Sequence, residues 1–182
     1  MTDKTKQKIM DTALTVFAEE GYVGAKTRVI AEKSGFSEMT LFRKFETKEN
    51  LFNMVLIKNQ ELILEDINSV FTDEKFESPK DCFKALISSV LNLIENNYEY
   101  VSIFVNERRR ISEKTIEVFI TRLAQYIEKM FPDHKVDAKV FAFNILSFLY
   151  FVVFDKKQGR TFVDHKKAVD EFINYSSNCL KE

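Results

Sequence analysis

Apolar residues recur at helical spacing along nearly the whole chain. Ile9, Met10, Ala13, Leu14 and Phe17 share one face of a helix over about Thr5 to Glu20, which Gly21 stops. Tyr22 to Lys26 reads as a loop. Thr27 is expected to cap a second helix ending near Gly35, and Ser37 a third ending near Phe45. Thr47 caps a much longer fourth helix with Leu51, Phe52, Val55, Leu62, Ile63, Ile67 and Val70 among its apolar positions. The polar stretch from Thr72 breaks the pattern, and Ser78-Pro79 restarts it with a capping hydroxyl followed by proline at the first helical position. The fifth helix runs to about Asn96 with Phe83, Leu86, Ile87, Val90 and Ile94 inward. A sixth covers about Tyr98 to Arg109, and a seventh starts at Ser112 and ends before Pro132. An eighth covers about Asp137 to Lys156, and a ninth Val163 to about Leu180. The spacing predicts an all-α fold of about nine helices, three short ones followed by six longer ones, with no strand and no internal repeat.

Composition supports this. Only four glycines and two prolines occur in 182 residues, which favours long uninterrupted helices over a strand-and-turn fold. The net charge is −1, and residues 1–50 carry nine Lys/Arg against eight Asp/Glu. Strong non-specific binding to a polyanion is therefore not expected, although phosphate contacts require placed cations rather than net charge. The start of the chain lacks a signal-peptide apolar core. The most apolar stretch, Val140 to Phe154, is interrupted by Asn144 and Ser147 and is shorter than the ~20 residues a bilayer requires, so it reads as a buried helix. A cytoplasmic protein without a membrane partner is expected. Cys82 and Cys179 lie far apart and read as reduced packing residues. His134 and His165 pair with no cysteine or carboxylate at a metal-binding spacing, and glycines at 21, 24, 35 and 159 build no phosphate loop. No catalytic residue, metal or cofactor is expected, and the chain is not read as an enzyme.

The chemistry concentrates between Lys26 and Lys48. Ala31 is small enough for two helices to cross closely, and Gly35 adopts positive φ at little steric cost. With the Ser37 cap, the two short helices form a helix-turn-helix, which lays its second helix in the major groove of DNA. The first residues of that helix, Ser37, Glu38, Met39, Thr40 and Arg43, face base edges: Arg43 suits guanine, Glu38 a cytosine amino group and Met39 a thymine methyl. Lys26, Thr27, Arg28, Lys44 and Lys48 suit phosphates. Lys48 is informative because a cation in the first turn of a helix opposes the helix dipole, by a few tenths of a kcal/mol, unless an anion lies there.

The pattern Ile9-x-x-x-Ala13-Leu14-x-x-Phe17-x-x-x-Gly21, then Thr27-x-x-Ile30-Ala31-x-x-x-Gly35-Phe36-Ser37-x-x-Thr40-Leu41-Phe42-x-x-Phe45-x-x-Lys48-x-x-Leu51, resembles the TetR family of bacterial transcriptional regulators. It covers about the first quarter of the chain. Phe42, a further DNA-facing candidate, stands where the family often has Tyr, and Met39 where a small residue is common.

The resemblance implies a DNA-binding domain over 1–47 and an effector-binding and dimerisation domain over 48–182. Phe83, Tyr98, Tyr100, Phe104 and Phe119 would line a largely apolar effector pocket, with Glu107, Arg108, Arg109 or Arg110 as its polar handle. The last two helices would pair with a second copy through Phe141, Ile145, Phe148, Leu149, Val152, Phe172 and Ile173. Apolar residues nearly all round helix eight point the same way, since such a helix must be covered on every side. The expected function is a ligand-responsive regulator that binds double-stranded DNA, a palindromic operator, as a homodimer and is released by a small-molecule effector. The alternative is a helical interaction protein without sequence-specific DNA binding.

Overall fold

The computed structural model describes residues 3–71, 75–107, 110, 114–132 and 135–180. Arg108, Arg109, Ser112, His134 and the side chain of Cys179, which carried expectations above, lie outside the described residues. Nine α-helices and no strand occur among the described residues: α1 (Lys4–Gly24), α2 (Thr27–Ser34), α3 (Glu38–Phe45), α4 (Lys48–Val70), α5 (Pro79–Asn96), α6 (Tyr98–Asn106), α7 (Lys114–Met130), α8 (Ala138–Lys157) and α9 (His165–Cys179).

Local chemistry sets most helix ends. Asp3, Ser37, Asp137 and Asp164 accept backbone N–H groups at the starts of α1, α3, α8 and α9. Thr47 and Ser78 do the same for Asn50 and Asp81, at 3.0 and 3.2 Å. Gly21 breaks α1 with φ 67°, ψ 171°, and a last helical turn continues to Gly24. Thr27 does not cap α2. Lys26 holds that position without a side-chain bond, because the Thr27 hydroxyl donates instead to Glu38 Oε1 on α3, at 2.6 Å.

Contacts divide the chain into two units, residues 1–64 with 97–112, and residues 65–96 with 113–182. In the first unit α1 packs on α2 and α6, and α2 on α3. Its core contains Ile9, Ala13, Phe17, Ile30, Leu41, Phe45 and Leu51, each no more than 1% exposed. Phe52 stands edge-on to both Phe17 and Tyr22, with ring centroids 4.9 Å away in each case. In the second unit α8 packs against α5, α7 and α9. Phe83 is fully buried there among Phe131, Phe141 and Phe172. Phe71 meets Phe119 and Tyr126. Cys82 is buried, which pushes its thiol pKa up and leaves it a packing residue.

Helix α8 spans 20 residues and has the length and apolarity to cross a membrane. Its charged and polar ends extend it beyond the apolar stretch alone, so length does not exclude a span. One side of it is nevertheless occupied by protein: Phe141, Ala142, Ile145, Leu149, Val152 and Val153 are buried.

Candidate DNA interface

The turn between α2 and α3 is a closed hydrogen-bonded motif. Gly35 sits at φ 79°, ψ 25°, a left-handed conformation that costs glycine little. Its N–H reaches the Glu32 carbonyl at 3.0 Å, and the Phe36 N–H reaches Ala31 at 2.9 Å, the paired bonds of a Schellman end. Ser37 then turns extended, and its Oγ accepts the Thr40 N–H at 3.2 Å and lies 3.0 Å from the Thr40 hydroxyl.

Burial fixes which side of α3 faces solvent. Leu41 and Phe45 are fully buried, whereas Met39 is 82% exposed, Phe42 is 41% exposed and Arg43 is exposed. Glu38, Thr40 and Lys44 are half-buried, and Ser37 is exposed at the N-cap. The outward face of α3 is thus Met39, Phe42 and Arg43, with Ser37 and Thr40 at its leading end.

Of the expected phosphate-binding side chains, several are already engaged. Thr27 is tied to Glu38. Arg28 pairs with Glu32 at 2.8 Å in an exposed i,i+4 bridge, a contact worth little in water and readily exchanged. Lys44 bonds Asp3, which holds the Asp3 carboxyl below its ordinary pKa. The side chains of Lys26 and Arg43 are exposed and make no hydrogen bond or ion pair among the described residues.

Lys48 has the most elaborate surroundings. Its Nζ lies 4.8 Å from the Tyr22 ring centroid and 3.4 Å from the Val23 carbonyl oxygen. Arg110 lies over the same ring, 4.2 Å from the centroid. Glu107 Oε1 accepts the Tyr22 N–H at 2.8 Å, and Glu107 Oε2 lies 3.6 Å from Arg110 Nε. Burial pushes the Lys48 pKa down, and the neighbouring Arg110 charge adds to this. Tyr22, Glu107 and Arg110 carry no local sequence signal for this site, because the Tyr22–Glu107 bond joins positions 85 residues apart.

Glu107 is therefore occupied as an acceptor within the first unit. Of the five aromatic residues expected around an effector, Tyr98, Tyr100 and Phe104 belong to the first unit, and Phe83 and Phe119 to the second. A cavity of about 200 Å³ lies within the second unit, lined by Asp66, Ser69, Ser89, Asn92 and Asn96 with Val70 and Leu93. None of the five aromatics lines it, and its wall is mainly polar. The residues expected at a dimer face also divide: Phe141, Ile145, Leu149, Val152 and Ile173 are buried in the chain's own core, while Phe148 and Phe172 are half-buried and stack at 4.4 Å. Val140, Phe143 and Phe151 on α8 and Tyr175 on α9 are 55–72% exposed instead. His165 Nε2 meets Asp155 Oδ2 at 2.8 Å, a pairing that sequence spacing did not suggest. Among the described residues no three His, Cys, Asp or Glu side chains group around a metal position.

A tight turn, a capped second helix and an outward face of Met39, Phe42 and Arg43 define a helix-turn-helix protein. Residues 9–55 match the family described as bacterial regulatory proteins, tetR family. The chain is 38% identical over 52 residues to the uncharacterized HTH-type transcriptional regulator YvkB of Bacillus subtilis, a match spanning 29% of this chain and 28% of that relative. Two solved structures share the fold over nearly the full length. AibR, solved in complex with isovaleryl coenzyme A and operator DNA, has TM-score 0.68 at 18% identity and covers 94% of this chain and 97% of its own. The ketosteroid regulator KstR2 of Mycobacterium tuberculosis has TM-score 0.74 at 14% identity, covering 98% and 95%. The helix-turn-helix segment is thus that of the tetR family of bacterial regulatory proteins, and the whole chain shares its fold with solved regulators of this kind.

Proposed function

We propose that the chain is a cytoplasmic, ligand-responsive repressor that binds a palindromic operator as a homodimer. The observation that carries this reading is the outward face of α3, where Met39 and Arg43 stand exposed while Leu41 and Phe45 anchor the helix from behind. Arg43 provides a bidentate donor for guanine, and Met39 an apolar surface for a thymine methyl. Lys26, Thr27, Arg28, Lys44 and Lys48 surround this face as phosphate contacts that set register, with residues 1–47 as the reading head.

One helix of eight residues reads few bases, so specificity calls for two heads related by twofold symmetry. Val140, Phe143 and Phe151 on α8, with Tyr175 on α9, form the apolar surface for that pairing, since they are exposed in the single chain. The half-buried Phe148–Phe172 stack lies on the same two helices. The effector is a largely apolar small molecule, a class in keeping with the ketosteroid link of KstR2 and, for its branched acyl end alone, with the isovaleryl coenzyme A of AibR. Such an effector releases DNA by as much as it prefers the non-binding state.

Arg43→Ala tests the base-reading role. Losing a good bidentate contact costs about 1–3 kcal/mol per subunit, roughly five- to 150-fold for each half-site and the square of that for the homodimer, in affinity for DNA from the flanks of the coding sequence. Unchanged retention at moderate salt would favour a helical interaction module that does not read DNA.

A further inference from the structure

We infer that Glu107, at the end of α6, is a positioning residue for the Lys48 contact to a DNA phosphate, acting through the Tyr22–Val23 corner of the head. This rests on the DNA-binding reading above. Lys48 is held at that corner from two sides, its ammonium against the Tyr22 ring and the Val23 carbonyl. The corner follows the break in α1 at Gly21, where the chain leaves regular helix and needs an external partner for its N–H groups. Glu107 supplies that partner by accepting the Tyr22 N–H at 2.8 Å, with a side chain only 17% exposed. Space is tight: a Cβ at Gly21 would stand 3.0 Å from Glu107 Oε1, so glycine serves there both for its positive φ and for the close approach.

Charge supports the same conclusion. Lys48 and Arg110 both lie over the Tyr22 ring, and two cations gathered at one ring repel. Two carboxylates, Glu107 and Glu20, act on Lys48, and Glu107 is the one paired with Arg110, at 3.6 Å. Without it the corner loses its anchor and Arg110 loses its paired carboxylate. A partly buried cation at a helix N-terminus, already disfavoured by the helix dipole, then has no reason to stay. A DNA phosphate meeting the first turn of α4 would find its lysine displaced.

The test is a thermodynamic cycle on a random-sequence DNA duplex, because phosphate contacts do not depend on sequence. Affinity is measured against salt for the wild type, Lys48→Ala, Glu107→Ala and the double variant. Each lost phosphate contact lowers the slope of log affinity against log salt by about 0.9. The expected result is that Glu107→Ala lowers the slope as much as Lys48→Ala, and that the double variant loses no more than either alone. Glu107→Gln keeps a carbonyl for the Tyr22 N–H and should retain most of the slope. Glu107→Asp keeps the charge but is one methylene too short and should lose it; this variant also decides the matter if the alanine variant does not fold. Additive losses in the double variant, or a wild-type slope in both Glu107→Ala and Glu107→Asp, overturn the inference. A wild type that binds no duplex at any salt overturns the DNA reading itself, a distinguishable outcome.

Discussion

Leu41→Ala and Met39→Ala are two residues apart on one short helix and should have opposite consequences. Leu41 is fully buried and Met39 is 82% exposed. Truncating a buried leucine loses its transfer free energy and leaves a cavity, together about 2–5 kcal/mol. Leu41 belongs to a small core with Phe45, Ile30 and Ala31, where little can collapse into the gap, so a value of about 3 kcal/mol or more is expected. Met39 touches mainly solvent, so its truncation should shift stability by no more than about 0.5 kcal/mol. The assay is urea unfolding followed by circular dichroism, at one fixed protein concentration so that any association enters both variants equally. The same proteins are then assayed for DNA binding. Met39→Ala should keep its stability and lose affinity for specific DNA, whereas Leu41→Ala loses the head itself. If Met39→Ala is as destabilising as Leu41→Ala, the orientation assigned to α3 is wrong.

Other outcomes follow from single features. Glu46, just after α3, sits at φ 63°, ψ −50°, and the Thr47 N–H bonds the Phe45 carbonyl at 2.6 Å across it, a strained γ-turn for a residue with a Cβ. Glu46→Gly should raise stability by about 1 kcal/mol in the same unfolding assay. The Asp3 carboxyl is held low first by its bond to Lys44, so its folded pKa lies below its unfolded one. Its contribution is therefore complete above the unfolded value near pH 4 and fades as pH falls through the lower folded value. The melting temperature of Asp3→Asn should lie below that of the wild type at neutral pH, and the two curves should converge in acid. Phe143→Arg with Phe151→Arg should convert a dimer to a monomer in sedimentation velocity while leaving helix content intact; an unchanged sedimentation coefficient would exclude that face as the interface.

Features governed by neighbours in sequence were legible, and features governed by distant contacts were not. Ser37, Thr47 and Ser78 announced helix starts because a cap is a bond between residues three positions apart. Gly35 was legible for the same reason. Thr27 misled because its hydroxyl found Glu38 across the turn, a competing partner that no local rule weighs. The orientation of α8 was hidden by its own composition. Phe141, Ile145 and Leu149 on one side and Val140, Phe143 and Phe151 on the other are equally apolar, so periodicity cannot say which side the chain itself buries. The Glu107–Tyr22 bond and the His165–Asp155 pair come from packing, and neither leaves a pattern in the sequence.

Footprinting of the wild-type protein on fragments selected from its own genome is the most direct check on the regulator assignment. Two protected half-sites related by a twofold axis, their centres separated by about one turn of duplex or a multiple of it, are expected, with protection lost in Arg43→Ala. Uniform protection without a symmetric site, or the same footprint from Arg43→Ala, would contradict base reading by α3.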